Sequence, residues 1–462
     1  MTYNLILDTD SYKMSHFLGY PKGTTEMYSY LESRGGKYPD TVFFGLQPIL
    51  EKLARRITFD QVAQARIFAE KHGVPFNNEG WKDIMIDHGG YLPIEIKAVK
   101  EGTSVPAHNV LMTIRNTDPR FAWLTSYLET MLLRVWYPIT VATRIRNMKR
   151  KIKPFYERTS ETLDSLPFAV LDFSSRGVSS YEQSQIGGAA YLANFLGSDN
   201  IPAVEFVNRV YDSPMSGFSV PATEHSIMCA FGEENEFGSF EYLIDNMGQE
   251  GGILSVVSDT WDIFRAAEYW GHLADKIKAK NLTLVVRPDS GEIEDVLPEV
   301  LYILQNAFGS TENSKGYHVL NNVKVLWGDG INEDTCTDPF QIADNMGISA
   351  DSIITGSGGG LMQVDINRDT NKFAIKGSNV IVNGESRPIS KNPVTDTGKR
   401  SKAGKLMLHY DLLQDKYTTM QTDSSLSAGS QQIIDQLETV FLDGTIMRWQ
   451  TIDDIRERID NG

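Results

Sequence analysis

The chain is poor in cysteine: its 462 residues include two, Cys229 and Cys336, with no second thiol or histidine at metal-ligand spacing around either. That excludes a disulfide scaffold and a cysteine-based zinc site, and predicts both as small buried hydrophobes. Long apolar runs are missing as well. The N-terminal MTYNLILDTDSYKM has only a short apolar stretch around Leu5 to Leu7, too little for a secretory signal, and no later segment approaches membrane-spanning length, so a cytoplasmic protein is expected. Positive charge is scarce: a formal charge of −16 argues against a broad nucleic-acid or anionic-membrane surface. Any phosphate this protein handles must meet a few local cations. There is no internal repeat, heptad run or low-complexity block, which removes solenoids and coiled coils.

What is present is an ordinary globular composition, 41% apolar and 23% charged, on a chain long enough for two or three domains. In the N-terminal third, LPIEIKAV (Leu92 to Val99) alternates as a half-buried strand does, and VLMTI (Val110 to Ile114) follows a Pro-containing turn. FAWLTSYLETMLLRVW (Phe121 to Trp136) sets Leu124, Leu128, Leu132 and Val135 along one helical stripe, predicting a helix packed on that sheet. From about Ala169 the pattern changes. Short β-branched runs end in polar or glycine-rich residues, AVLDFSSRG, SVVSD, LTLVVRPDSG, VKVLWGDG and SIITGSGGG, with helical segments between them. One such segment, EDVLPEVLYILQNAFG, places Val296, Leu297, Val300, Leu301, Leu304 and Phe308 on an apolar face and Gly309 at the C-cap.

Strand, polar turn and helix recurring in this way predict a parallel α/β barrel with its chemistry at the strand C-terminal ends. A doubly wound open sheet is the competing fold; the barrel is preferred because polar endings occur on many successive strands rather than at one switch point. After about Gly377 the periodicity weakens, SKNPVTDTGKRSKAGK reads as a turn-rich loop, and the remainder is expected to return to the first domain. The expected division is an N-terminal α+β domain over 1–160, completed by about 380–462, and an irregular TIM-like barrel over 161–380.

TGSGGG (Thr355 to Gly360) closes a predicted strand with glycines whose N–H groups can converge on an oxyanion, although a plain flexible turn would look the same. It lacks the Lys-Ser/Thr of a P-loop and the GxGxxG spacing. Arg368, Lys376 and Lys391 lie downstream and read singly as solvated charges. Asp259, Asp289 and Asp329 each close a predicted strand. They suit a substrate with ribose hydroxyls and a Mg²⁺-bound pyrophosphate, or else act as helix N-caps; one cap and at least two site roles are expected. PATEHS puts Glu224 beside His225, a side chain able to accept a phosphoryl group or shuttle a proton, though a lone histidine is more often structural. No nucleophile elbow or HExxH is present, which weakens hydrolase and metalloprotease readings.

The ordered blocks DTDSYKMSH, GLQPIL, LPIEIKAV, NTDPRFAWLTSYLET, WYPITVAT, DFSSRGVSS, SVPATEHS, SVVSD, RPDSG, TENSKGY, GDG, GSGGG and KRSKAGK together resemble the nicotinamide phosphoribosyltransferase family over nearly the whole chain. The resemblance implies a homodimeric type II phosphoribosyltransferase with active sites at the subunit interface, acting on nicotinamide and phosphoribosyl pyrophosphate with Mg²⁺, and with ATP as co-substrate. By position it assigns Phe173 and the partner's Tyr12 to the two faces of the pyridine ring, Arg176 to the ring and 5′-phosphate, and Asp199 and Ser219 to the carboxamide. Asp289 and Gly328 match the ribose positions, with Arg287 close by, Gly359 and Gly360 match the phosphate loop, and Asp329 is counted among the residues that bind phosphoribosyl pyrophosphate. Arg34, Arg368, Lys376 and Lys391 match the cations that grip the pyrophosphate. His225 falls on the histidine the family phosphorylates, with Glu224 beside it and Asp259 orienting the imidazole. Nicotinate phosphoribosyltransferase, a catalytically silent relative and a sugar-phosphate barrel enzyme are the rival readings; the metal ligands are left unassigned.

Overall fold

The computed structural model describes residues 3–392, 395, 401–422 and 434–462. The chain divides into two compact units, one formed by Met1–Thr143, Val210–Asp212 and Asp365–Gly462, the other by Arg144–Arg209 and Ser213–Val364. The divisions at 143/144 and 364/365 differ from the expected 160 and 380. The first falls inside one continuous helix, Trp136–Thr159, and the second precedes a strand, Phe373–Val382, that pairs along its length with Thr24–Ser33.

The first unit is built on a sheet in the order Glu385–Pro388, Phe373–Val382, Thr24–Ser33, Val110–Asn116, Ile94–Ala98, Glu438–Leu442, Thr445–Ile446. Its pairings are antiparallel. The C-terminal segments thus return to the N-terminal sheet. Ile94–Ala98 keeps the alternation read from its sequence, with Ile94, Ile96 and Ala98 buried. The apolar stripe of residues 121–136 is buried as expected, but it is carried by two short helices, Ala122–Tyr127 and Glu129–Leu133, before Trp136–Thr159 begins. Apolar spacing marks which face is buried; it does not require one continuous helix. The loop over 390–405 is described only at 390–392, 395 and 401–405; the Lys399 and Arg400 of KRSKAGK lie outside the described residues.

The second unit is a barrel. Its central five-stranded parallel sheet has the order Val170–Asp172, Ile353–Ser357, Val323–Trp327, Thr283–Arg287, Ile253–Val257. Isolated parallel bridges complete the ring: Asp172 with Ser198, Gly197 with Phe218, and Ala222 with Ser255. Followed around the ring, the staves come in chain order, and the last pairs with the first through Thr355 and Val170. Closure decides against a doubly wound sheet, whose edges stay open. The helix Ile293–Phe308 buries all six residues of its predicted face and ends on Gly309, φ 74°. Cys336 is buried, but Cys229 is exposed: the short helix His225–Phe231 buries Met228 and turns the next residue outward.

Candidate active site at the barrel rim

In a parallel barrel the strand C-terminal ends open together on one face, and there the second unit gathers most of the predicted residues. The backbone sets their level. Asp172 donates its N–H to Gly197, Ser198 donates to Phe218, and Asp199 donates to the carbonyl of Asp172. Phe173, Asp199 and Ser219, the residues that follow directly, therefore stand at the same height on three neighbouring staves. The Ser219 hydroxyl donates to an Asp199 carboxylate oxygen at 2.5 Å, and both residues are exposed.

Phe173 is half-buried and its ring lies on Gly356: a Cβ there would sit 2.2 Å from a ring carbon, so this stave must carry glycine if the aromatic is to lie flat. The Arg287 guanidinium is 5.8 Å from the same ring's centre. Arg176 is exposed on the short turn Ser175–Gly177 that follows.

Beside this group is a carboxylate and imidazole chain. Arg287 donates to Asp289 at 3.1 Å and to the carbonyl of Thr223 at 3.0 Å. The second Asp289 oxygen lies where a Cβ on Gly328 would approach to 3.1 Å, so the glycine admits the carboxylate against its backbone. Burial pushes the Asp289 carboxyl above the usual carboxylate range, with Arg287 opposing and the nearby Asp259 reinforcing the shift. The His225 Nε2 is 3.1 Å from Asp259, whose other oxygen accepts from Ser290 at 2.5 Å. Asp259 is buried while His225 is half exposed, leaving the imidazole edge open to a ligand. Glu224 is exposed and accepts from the Ser226 hydroxyl. Asp329 is exposed at the same rim, its carbonyl accepting from the Trp327 indole at 2.9 Å.

None of the three strand-end aspartates caps a helix. That work falls to Asp262 for Ile263–His272, while Glu292 and Thr337 precede the helices after Asp289 and Asp329. The single cap expected among them is therefore corrected: each lies two or more residues too early, in the turn itself. In the glycine run, Gly359 opens the one-turn helix Gly359–Met362, and a Cβ at Gly359 would meet nothing within 4 Å. Gly360 packs on the carbonyl of Ile331, and its own carbonyl accepts from the buried Arg144 at 3.0 Å.

The first unit holds the cations. Lys376 lies opposite Tyr30 in the sheet, and burial lowers its ammonium below the usual lysine value. The charges of Arg34, Lys391 and Lys13 push the same way, against Glu129. Arg34 donates to the buried Glu32 at 3.0 Å and keeps one terminal nitrogen buried without a partner. Lys402 also pairs with Glu32. Lys13, missed in the sequence, is buried against Glu129 at 2.7 Å, with its ammonium 5.3 Å from the ring of the exposed Tyr12. Arg368 is not drawn into this group; it is exposed and pairs with its neighbour Asp369 at 3.1 Å. Asp172, Ser198 and Ser290 were also missed. Ser290 stands within the RPDSG block, but nothing local to the other two distinguishes them from strand and turn residues.

A closed α/β barrel with an aromatic, acids and a glycine turn at its rim, joined in one chain to an antiparallel-sheet unit that carries a cation cluster, defines the type II phosphoribosyltransferase class. The fold is similar to that of a nicotinate-nucleotide pyrophosphorylase from Pyrococcus furiosus, with a TM-score of 0.63 at 16% identity. It is also similar to human nicotinic acid phosphoribosyltransferase, with a TM-score of 0.58 at 14% identity; in both cases 98% of this chain and 93% of the other are covered. Residues 168–445 match the nicotinate phosphoribosyltransferase family, and residues 4–96 match the N-terminal domain of nicotinamide phosphoribosyltransferase. The nicotinamide phosphoribosyltransferase of Xanthomonas campestris pv. campestris (strain 8004) is 45% identical over 99% of this chain and 98% of its own; that of Acinetobacter baylyi is 31% identical over 97% and 96%. The chain belongs to the nicotinate phosphoribosyltransferase family. Among its described residues no helix is long and apolar enough to cross a membrane.

Proposed function

We propose that this enzyme transfers the phosphoribosyl group of phosphoribosyl pyrophosphate to nicotinamide, giving nicotinamide mononucleotide and pyrophosphate in the salvage of NAD. The observation that carries the choice of base is the Asp199 carboxylate, held by the Ser219 hydroxyl at 2.5 Å on the stave beside Phe173. A primary amide donates to such a carboxylate, whereas the carboxylate of nicotinate is repelled by it. The two relatives named above carry the same activity in their names.

In this mechanism the pyridine ring lies against Phe173, its nitrogen lone pair attacks the anomeric carbon of the ribose, and the bond to the pyrophosphate oxygen breaks. Neutral nicotinamide brings its own lone pair, so no general base is required. Asp289, beside Gly328, accepts from ribose hydroxyls, and the open turn at Gly359 and Gly360 receives the phosphate. Arg34, Arg368, Lys376 and Lys391, the cations that the family resemblance assigns to the pyrophosphate, neutralise the leaving group. Alignment of the two substrates supplies about 7 to 11 kcal/mol of the barrier lowering. Among the described residues no group of three or more acidic, histidine or cysteine side chains is placed to hold a metal ion. Asp259 and Asp289 are the carboxylates that would hold a Mg²⁺ at this rim, and the ion would neutralise pyrophosphate charge.

The pairing of half-exposed His225 with buried Asp259 also suits transient phosphorylation. An imidazole nitrogen takes the γ-phosphoryl group of ATP, ADP leaves, and water later releases phosphate, biasing the site toward its tight-binding state. The exposed Tyr12 suits a homodimer in which each copy completes the other's base site. The unpaired Cys229 and Cys336 suit a cytoplasmic setting.

Turnover with nicotinamide and nicotinate in competition tests the reading, with and without ATP. The wild type is expected to consume the amide, Asp199→Asn to lose that preference, and His225→Ala to lose ATP stimulation. Preferential consumption of nicotinate by the wild type would sink it.

A further inference from the structure

Asp172 is a fully buried carboxylate of the barrel that the mechanism leaves without a task. Its side chain is fully buried at the end of Val170–Asp172, directly before Phe173. One carboxylate oxygen accepts from the Ser174 N–H at 2.8 Å and from the Ser174 hydroxyl at 2.5 Å; the other accepts from the Ser198 hydroxyl at 3.4 Å. Its backbone N–H and carbonyl bond to Gly197 and Asp199. Ser174 reaches on to the Met362 sulfur at 2.9 Å, in the helix that opens at Gly359. One anion therefore touches residues that flank both Phe173 and Asp199.

We propose that Asp172 is a positioning residue for the base pocket: its carboxylate fixes the stave carrying Phe173 against the stave carrying Asp199, and thereby sets both base affinity and base choice. The assignment of base choice rests on the function proposed above; the assignment of base affinity does not. A buried carboxylate is costly to desolvate, and burial raises this one above its usual range despite the hydroxyl and amide donors around it. A neutral side chain would hold Val170–Asp172 in the barrel at less cost. The anion adds short charge-assisted bonds to Ser174 beside Phe173, and reaches across to the next stave through the longer 3.4 Å bond from Ser198, with the Asn200 side chain also donating. Pocket walls displaced by a few tenths of an ångström lose stacking and amide contact together, while the phosphoribosyl subsite, held by Asp289 and Gly328 on other staves, keeps its geometry.

The test is steady-state kinetics with both substrates varied, on the full-length protein, for Asp172→Asn, Ser198→Ala and the double variant, with thermal melting alongside. Asp172→Asn keeps the shape but cannot accept at both oxygens. It is expected to raise KM for the base about tenfold, to leave KM for phosphoribosyl pyrophosphate within about twofold, and to narrow the ratio between the two bases. Ser198→Ala is expected to act in the same direction more weakly, and to add little on top of Asp172→Asn, since the two share one link. Both substrates' KM rising in proportion with a lowered melting temperature, or base KM unchanged in Ser198→Ala and Asp172→Asn alike, overturns the proposal. If Asp172→Asn does not fold, Ser198→Ala decides alone. Each measurement uses whichever base the wild type turns over, so a wild type that prefers nicotinate refutes the proposed function while leaving the role of Asp172 to be read from the base KM.

Discussion

The barrel rim and the antiparallel-sheet unit treat charge in opposite ways. At the rim, Asp199, Asp259 and Asp289 stand with Phe173 and His225, and each carboxylate has only one or two partners, so acceptor capacity is left for a ligand. In the sheet unit, burial and the charges of Arg34, Lys391 and Lys13 disfavour the charge of Lys376, in a chain that is acidic as a whole. Cations held together at a cost suit a polyanion that relieves their repulsion on binding; acceptors with spare lone pairs suit a substrate that brings hydroxyl and amide donors. The donors of base and ribose in the proposed reaction match the rim carboxylates, and the charge of the leaving pyrophosphate matches the cations.

The largest effect that sharpens this contrast lies in the sheet unit, where an anion has a purely structural task. Glu101 is fully buried and accepts from the N–H groups of Gly45 and Gln47 at 3.0 and 2.7 Å and from the Tyr211 hydroxyl at 3.0 Å. Glu101→Ala leaves these donors unsatisfied and is expected to cost about 3 to 5 kcal/mol in urea unfolding. Burial raises this carboxyl above its unfolded value. Its contribution is therefore full below the ordinary glutamate range and is lost as pH rises through the raised value; Glu101→Gln should flatten that slope. Next in size is Asp289→Ala at the rim. It is expected to lower kcat/KM for phosphoribosyl pyrophosphate about a hundredfold with little change in melting temperature, because the carboxylate borders an opening and its loss exposes Arg287 to water rather than to apolar core. An equal loss of stability in both variants would erase the distinction between the two regions.

The same contrast governs what could be read in the sequence. Rim groups follow their strands directly, so VVSD, RPDSG and GDG announced Asp259, Asp289 and Asp329 with the strands that carry them. The cation group is assembled by antiparallel register: Lys376 meets its neighbours because it lies opposite Tyr30, more than three hundred residues away, and Lys13 joins from a short helical segment at the start of the chain. No local pattern carries such information, which is why Lys13 and Lys402 passed unnoticed. Asp172 was illegible for a different reason. It is one letter of the strand AVLD, and its function depends on Ser198, reached only through a single parallel bridge. The stripe from Leu124 to Val135 was legible as a buried face but not as two short helices, since burial and helix continuity are separate properties. Cys229 was misjudged because its helix is short and half of it faces solvent.

The smallest expected effect tests the cation group through its protons. Because burial and the neighbouring Arg34, Lys391 and Lys13 charges lower Lys376, its ammonium begins to deprotonate below the usual lysine range. In the free protein that loss relieves repulsion, so stability gains slightly as pH rises through the lowered value. Binding works in the reverse sense: a pyrophosphate needs the proton in place, so KM for phosphoribosyl pyrophosphate should climb on the alkaline side while KM for nicotinamide stays level. Lys376→Arg keeps the charge across this range and is expected to flatten the climb, with a KM at neutral pH within about threefold of the wild type, as an arginine fork replaces a point charge. Titration with pyrophosphate should take up protons in alkaline buffer, and the uptake should vanish in the arginine variant. A flat KM profile in the wild type would mean that the crowded cations of the sheet unit hold one another without serving the leaving group.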